Sequence, residues 1–243
     1  MTKGEGYRET LRALQDWDSF LLQESGLPGP RGNIELARAV ADEGSTSYFH
    51  HLLTFDPETA PTNTPHEFLA FCGVLGLGRL LAEGQAEVMT TLRRYASDPR
   101  WRIREAVAMA LQRLGTGDME ALLRLTADWS KGNLLEKRAA AASLCEPALL
   151  SHEPHARRVL RLLDEITASV TEIEDRKSPE FKSLRKGLGY CWSVAVAAFP
   201  EEGKPLMEKW LASTDRDVLW IMRENLKKKR LLRMDAAWVE QQT

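Results

Sequence analysis

The amino-acid sequence predicts an all-α chain, a right-handed α-solenoid of helix pairs with an irregular helical cap at its N-terminus. Three observations lead there: apolar residues recur with helical period, helix-start signals return at regular intervals, and small residues fall in phase along successive pairs. The clearest stripe is Trp101–Leu114, where Ile103, Ala106, Val107, Ala110, Leu111 and Leu114 occupy i, i+3, i+4, i+7, i+8 and i+11 of one face. No Asn-Gly or Asp-Gly pair separates alternating runs, and β-branched clusters are absent. The pattern predicts about ten helices and no sheet.

Taken in order, the helix starts are explicit. Thr64-Pro65-His66-Glu67 combines an N-cap threonine, a proline at N1 and a glutamate at N3, the pattern of a capping box. Asp98-Pro99 and Ser178-Pro179 repeat the cap-then-proline device, Asn133 precedes LLEKRAAAASL, and Asp215 precedes Val218, Ile221 and Met222. The five starts, at 64, 98, 133, 178 and 215, are separated by 34, 35, 45 and 37 residues. Ahead of the last four lie further helical segments over 85–97, 118–130, 155–176 and 203–213. Each period therefore holds two helices and a turn. One such pair cannot bury both its apolar faces, so neighbours must stack. A shift of 33 lays Lys137, Ala139, Ala141, Ser143 and Leu144 on Arg104, Ala106, Ala108, Ala110 and Leu111, and alanines at these positions let helix axes approach closely.

Two helices are expected at the centre, His66–Ala82 and Leu188–Phe199, because their apolar residues surround the axis. Gly73, Gly76 and Gly78 follow no strand, so close helix packing explains them better than a phosphate loop. The Pro/Gly-rich stretches Ser25–Gly32 and Asp56–Thr64 are connections. The expected organisation is a helical cap over 1–63 and one continuous repeat array over 64–243.

Composition narrows the function. The chain has 33 basic and 35 acidic residues, a net charge of −2, which excludes a polybasic protein. Residues 1–97 carry 8 basic and 13 acidic side chains and residues 98–243 carry 25 and 22, so an anion-facing surface belongs in the second half. Cys72, Cys145 and Cys191 are odd in number and far apart, which argues against a disulfide framework. The polar start MTKGEGYRET is not a secretory signal. The uncharged runs Phe68–Gly78 and Gly187–Phe199 hold 11 and 13 residues, against the ~20 that a bilayer needs. A cytoplasmic chain without a membrane partner is expected.

The segment ASDPRWRIREAVAMALQRLG, Ala96–Gly115, resembles a HEAT repeat: Asp-Pro opens the second helix, Ile103-Arg104 comes next, and then an Ala/Leu stripe. Residues 85–150 are similar to that pattern throughout and 200–231 in part. HEAT modules mostly bind other macromolecules, so the resemblance implies a non-enzymatic scaffold whose concave face binds a protein or another macromolecule. It also implies that Arg104 pairs with a cap aspartate, Asp98 or Asp128. HEAT-like repeats form the fold of bacterial alkylpurine DNA glycosylases as well. Similarity to that DNA alkylation repair group implies the alternative of a DNA-binding protein or an alkylpurine DNA glycosylase, with Trp, Asp and Arg on a basic face. The Trp–Asp neighbours here, Asp16-Trp17-Asp18 and Asp128-Trp129, lie outside that family's active-site context, so no catalytic residue is carried over.

No Gly-x-Ser-x-Gly, Walker loop or Gly-x-Gly-x-x-Gly occurs. His152, His155 and Cys145 lack a fourth ligand, and His50-His51 point about 100° apart on a helix; the histidines are expected in loops or on the surface, and the cysteines, in apolar contexts, buried and inert. No catalytic residue, metal or cofactor is assigned. Binding candidates remain. Trp101, between Arg100 and Arg102 in a first helical turn, has the composition of an aromatic–guanidinium platform, and Trp129 stands in the expected turn Ala127–Lys131. The densest charge is Arg223–Arg233, with six basic residues and one acidic, expected as a helix held by Leu226 and Leu231-Leu232. The candidates are thus Trp101, Arg102, Trp129, Arg223, Lys227, Lys228, Lys229 and Arg230, for a protein partner or for nucleic-acid phosphates.

Overall fold

The structure, a computed structural model, describes residues 2–242. It is all-α: fifteen helices and a single 3-10 turn at Pro147–Leu149, with no strand among the described residues. The helices gather into two compact units, Met1–Gly117 and Asp118–Thr243. The expected 63/64 boundary falls inside the first unit, and the expected single array is divided at 117/118. The reason lies in one helix. Residues 65–82 pack on elements from both sides of position 63, so the N-terminal segment shares one core with the helices up to residue 117 and is not a separate cap.

In the first unit α1 (Lys3–Ala13), α2 (Trp17–Glu24), α3 (Ile34–Glu43) and α4 (Thr46–Leu52) precede the central α5 (Pro65–Ala82), and α6 (Val88–Ala96) and α7 (Trp101–Gly117) come after it. The α5 helix packs on α2, α3, α4, α6 and α7, which explains why it is apolar all round. Its glycines serve these approaches. A Cβ at Gly78 would stand 2.5 Å from Ala110 Cα of α7, and one at Gly76 would meet the Phe49 ring of α4 at 2.3 Å. The N-cap of α5 is Thr64, whose hydroxyl accepts from Glu67 N, with Pro65 at N1. The expected reciprocal bond from Glu67 back to Thr64 is replaced: its carboxylate accepts from Asn63 N at 2.7 Å and from Arg102 at 3.1 Å.

The second unit holds α8 (Met119–Trp129), α9 (Leu134–Leu144), α10 (Glu153–Val170), α11 (Pro179–Ala198), α12 (Pro200–Leu211), α13 (Arg216–Leu226), α14 (Lys229–Met234) and α15 (Ala236–Gln241). Here α11 is central and packs on α9, α10, α12, α13 and α14. Asn133 forms the capping box of α9 with Glu136, Ser178 caps α11, and Asp215 caps α13 by accepting from Asp217 N and Val218 N. Two buried polar side chains fix α11 in place. Trp192 donates its indole N–H to Thr167 Oγ1 at 3.0 Å. Asn225 accepts from Ser193 N at 2.7 Å and donates to Leu188 O at 2.9 Å and Ile221 O at 2.7 Å. A buried amide with partners on both atoms fixes the register of α13 on α11.

Candidate functional site

In the first unit, the start of α7 meets the loop before α3 and the start of α5. Asp98 receives Arg100 through two guanidinium bonds of 3.0 and 2.9 Å, and both side chains are buried. Arg104 reaches this turn through main-chain carbonyls, donating to Asp98 O at 2.6 Å and Pro99 O at 2.9 Å. Arg102 is more deeply engaged than its candidacy implied. It pairs with the fully buried Glu67 at 3.1 Å and donates to Gly29 O at 2.7 Å and Asn63 Oδ1 at 3.2 Å. Its own side chain is 8% exposed, so it is a structural tie for three segments and not an open contact. Two atoms of this pair, Arg102 Nε and Glu67 Oε1, are buried without a hydrogen-bond partner.

Trp101 stands in the first turn of α7, as its spacing indicated, and is 47% exposed. The Arg102 guanidinium lies 4.4 Å from its ring centre. Beside it opens a cleft of about 420 Å³ lined by Leu27, Pro30, Arg31, Gly32, Ile34, Phe68, Phe71, Trp101, Arg102 and Glu105.

In the second unit the candidates separate. Trp129 is corrected: it is 2% exposed and belongs to the core. The segment expected as a turn is the last turn of α8, where Leu122, Thr126 and Trp129 fall at i, i+4 and i+7 and are all buried. The basic run is also not one helix. The α13 helix ends at Leu226 and a new helix begins at Lys229, with Lys228 as its uncapped N-cap. Lys228, Lys229 and Arg230 therefore sit at the positive end of α14, where the helix dipole opposes cations. Leu226 and Leu231 are buried as expected, whereas Leu232 is 44% exposed. Arg223, Lys228, Lys229 and Arg233 make no ion pair among the described residues, while Lys227 pairs with Glu224. That hydrogen bond holds the Glu224 carboxyl below the usual carboxylate range.

This cationic edge is continuous with a face of α11 that the sequence reading missed. Lys182, Lys186 and Tyr190 are exposed at i, i+4 and i+8. Tyr190 is 45% exposed and backed by Arg230, whose guanidinium lies 4.6 Å from the ring centre and donates to the phenol oxygen. Two glycines of this helix sit where its neighbours approach closely. A Cβ at Gly187 would stand 3.2 Å from Arg138 Cγ of α9, and one at Gly189 would stand 3.2 Å from the Trp220 ring of α13. Arg185 lies 4.4 Å from the Trp220 ring centre and donates to Asp217, which also accepts from Arg176. A second depression, about 730 Å³, lies among α12, α13, α14 and α15 and is lined by Leu211, Leu219, Leu226 and Leu232 together with Arg223 and Lys227.

Cys72 and Cys145 are buried and their thiols are pushed up by burial, against a nucleophilic role. His155 pairs with Glu120 at 3.3 Å at the start of α10, 4.7 Å from the His152 ring. Among the described residues no His, Cys, Asp or Glu group of three could hold a metal, and no helix is long and apolar enough to cross a membrane.

No protein-family model matches the chain, and no characterised sequence matches it. Among solved structures, the crystal structure of an engineered protein aligns over 96% of this chain and 98% of that one, with 17% identity and a TM-score of 0.35. That value is too low to mark a shared fold.

Proposed function

We propose that this chain is a non-enzymatic, HEAT-like scaffold that binds nucleic acid through the α11, α13 and α14 face of its second unit. One observation carries the reading: a half-exposed tyrosine stacked on Arg230 shares the α11, α13 and α14 face with cations that make no ion pair among the described residues. Arg223, Lys229, Lys182 and Lys186 are such cations, and the dipole of α14 disfavours Lys229 at its start. Cations kept against a local electrostatic penalty serve an external anion. A repeating phosphate backbone supplies that anion, and Tyr190 offers a base a stacking surface. No Asn/Gln array accompanies the lysines, so recognition is through phosphates and is indifferent to sequence.

Fluorescence anisotropy with a labelled single strand and a labelled duplex, titrated from low to physiological salt, tests this. Binding should weaken steeply with salt. The triple variant Lys227→Ala, Lys228→Ala, Lys229→Ala should flatten the slope by about two to three units of log K per log salt. Removing the ring by Tyr190→Ala should weaken single-strand binding about 5-fold or more, the low end of ~1–3 kcal/mol per stacked base. No binding at low salt overturns the reading. It would leave a protein partner, the role implied by HEAT resemblance.

A further inference from the structure

We propose that the cleft in the first unit is a binding site for a linear aliphatic carboxylate of medium chain length. The proposal rests on the first unit alone and is independent of the nucleic-acid reading. The cleft, about 420 Å³, falls in the size range of small-molecule sites. Its apolar walls include Leu27, Phe68 and Phe71, each less than a tenth exposed, with Ile34 and Trp101 as the exposed apolar members at 39% and 47%. Walls that are lined by buried side chains yet border a cavity admit a slender group and not a broad protein surface.

Polarity selects the head group. Three charged side chains line the cleft, Arg31, Arg102 and Glu105. Both terminal nitrogens of Arg102 are committed to Glu67, Gly29 and Asn63, and Glu105 is engaged within the protein. Arg31 is exposed and makes no ion pair among the described residues. Arg102 Nε, on a side chain more than nine-tenths buried, has no hydrogen-bond partner, so the wall carries a surplus of donor character. One unpaired guanidinium beside an apolar slot matches an alkyl chain ending in a single carboxylate, which a guanidinium engages through two parallel bonds.

Isothermal titration of the full-length protein with octanoate, decanoate, dodecanoate and 1-decanol, all below their aggregation limits, tests the assignment. Affinity should rise about fourfold per added methylene until the cleft is filled, and decanoate should bind tighter than decanol. Arg31→Gln should lower decanoate to the level of decanol while preserving the chain-length dependence. Ile34→Glu should abolish binding of both. Both positions are solvent-exposed, so an unchanged melting temperature verifies the fold of each variant. Absence of binding, affinity independent of chain length, equal affinity for acid and alcohol, or an Arg31→Gln variant that binds decanoate as the wild type does would each overturn the proposal.

Discussion

Replacing Arg102 by methionine should cost the first unit about 3–5 kcal/mol, the usual penalty for removing one partner of a buried ion pair. The geometry sets that figure. Glu67 is fully buried and the pair is 3.1 Å long, so the carboxylate is left largely desolvated when the guanidinium is removed. The carboxylate would keep only the bond from Asn63 N. Methionine fills much of the arginine stem's volume, so little of the loss is cavity. The lost donors to Gly29 O and Asn63 Oδ1 add less, because the acceptors lie on two partly exposed loops that water can reach. At about 2–4 °C per kcal/mol, the melting temperature should fall by roughly 6–20 °C. Urea denaturation monitored by far-ultraviolet circular dichroism reads the same quantity as a shift in midpoint. The decisive comparison is the double variant Glu67→Met, Arg102→Met. With no charge left to bury, it should recover most of the loss. A single variant costing under about 1 kcal/mol, or a double variant no more stable than the single, would refute the picture of a desolvated pair.

Three further outcomes are expected. Val107→Asp buries an unpaired charge at a fully buried site and should destabilise by several kcal/mol, roughly 3 or more; a thermal melt like that of the wild type would count against the α5–α7 packing. The hydrogen bond from Arg176 holds the Asp215 carboxyl below its ordinary value of 3.8. Its contribution is therefore complete above that value and lost as pH falls through the lower folded one, so the urea midpoint should drop in strong acid, and the drop should be smaller in Asp215→Asn. Lys229→Glu places an acid at the start of α14 and should raise stability by about 0.3–1 kcal/mol while weakening nucleic-acid binding, a pair of opposed changes that denaturation and anisotropy measure separately.

Much of the helical order was legible because its signals are local. Thr64, Asn133, Ser178 and Asp215 cap the helices they announced, since a cap depends on residues within one turn. The glycines of α5 were legible as close-packing positions because they fall within a helical run that follows no strand. What escaped the sequence depends on distant residues. Glu67 has the spacing of a capping-box acid, yet its partner Arg102 is 35 positions away, and no local pattern separates the two uses. Trp129 was misplaced because Asp128-Trp129-Ser130-Lys131 has the composition of a turn, although the i, i+4, i+7 stripe of α8 already reached it. Tyr190 was absorbed into an apolar run; its signal was the spacing from Lys182 and Lys186, which continues the wet face of α11. The break between α13 and α14 carries neither glycine nor proline, so the basic run read as one helix.

The division at Gly117/Asp118 has a consequence for how the chain is made. The helices that pack extensively on α5, namely α2, α3, α4, α6 and α7, belong to the first unit, so that unit can close while the residues after it are still being added. At about 5–20 residues per second, synthesis of the remaining part leaves several seconds in which α5 is already sheltered. Within that unit one late contact joins Arg102 to Gly29, 73 positions apart. The loop carrying Leu27 and Pro30 therefore locks down only once α7 has emerged, which makes the cleft beside Trp101 among the last features of the first unit to form.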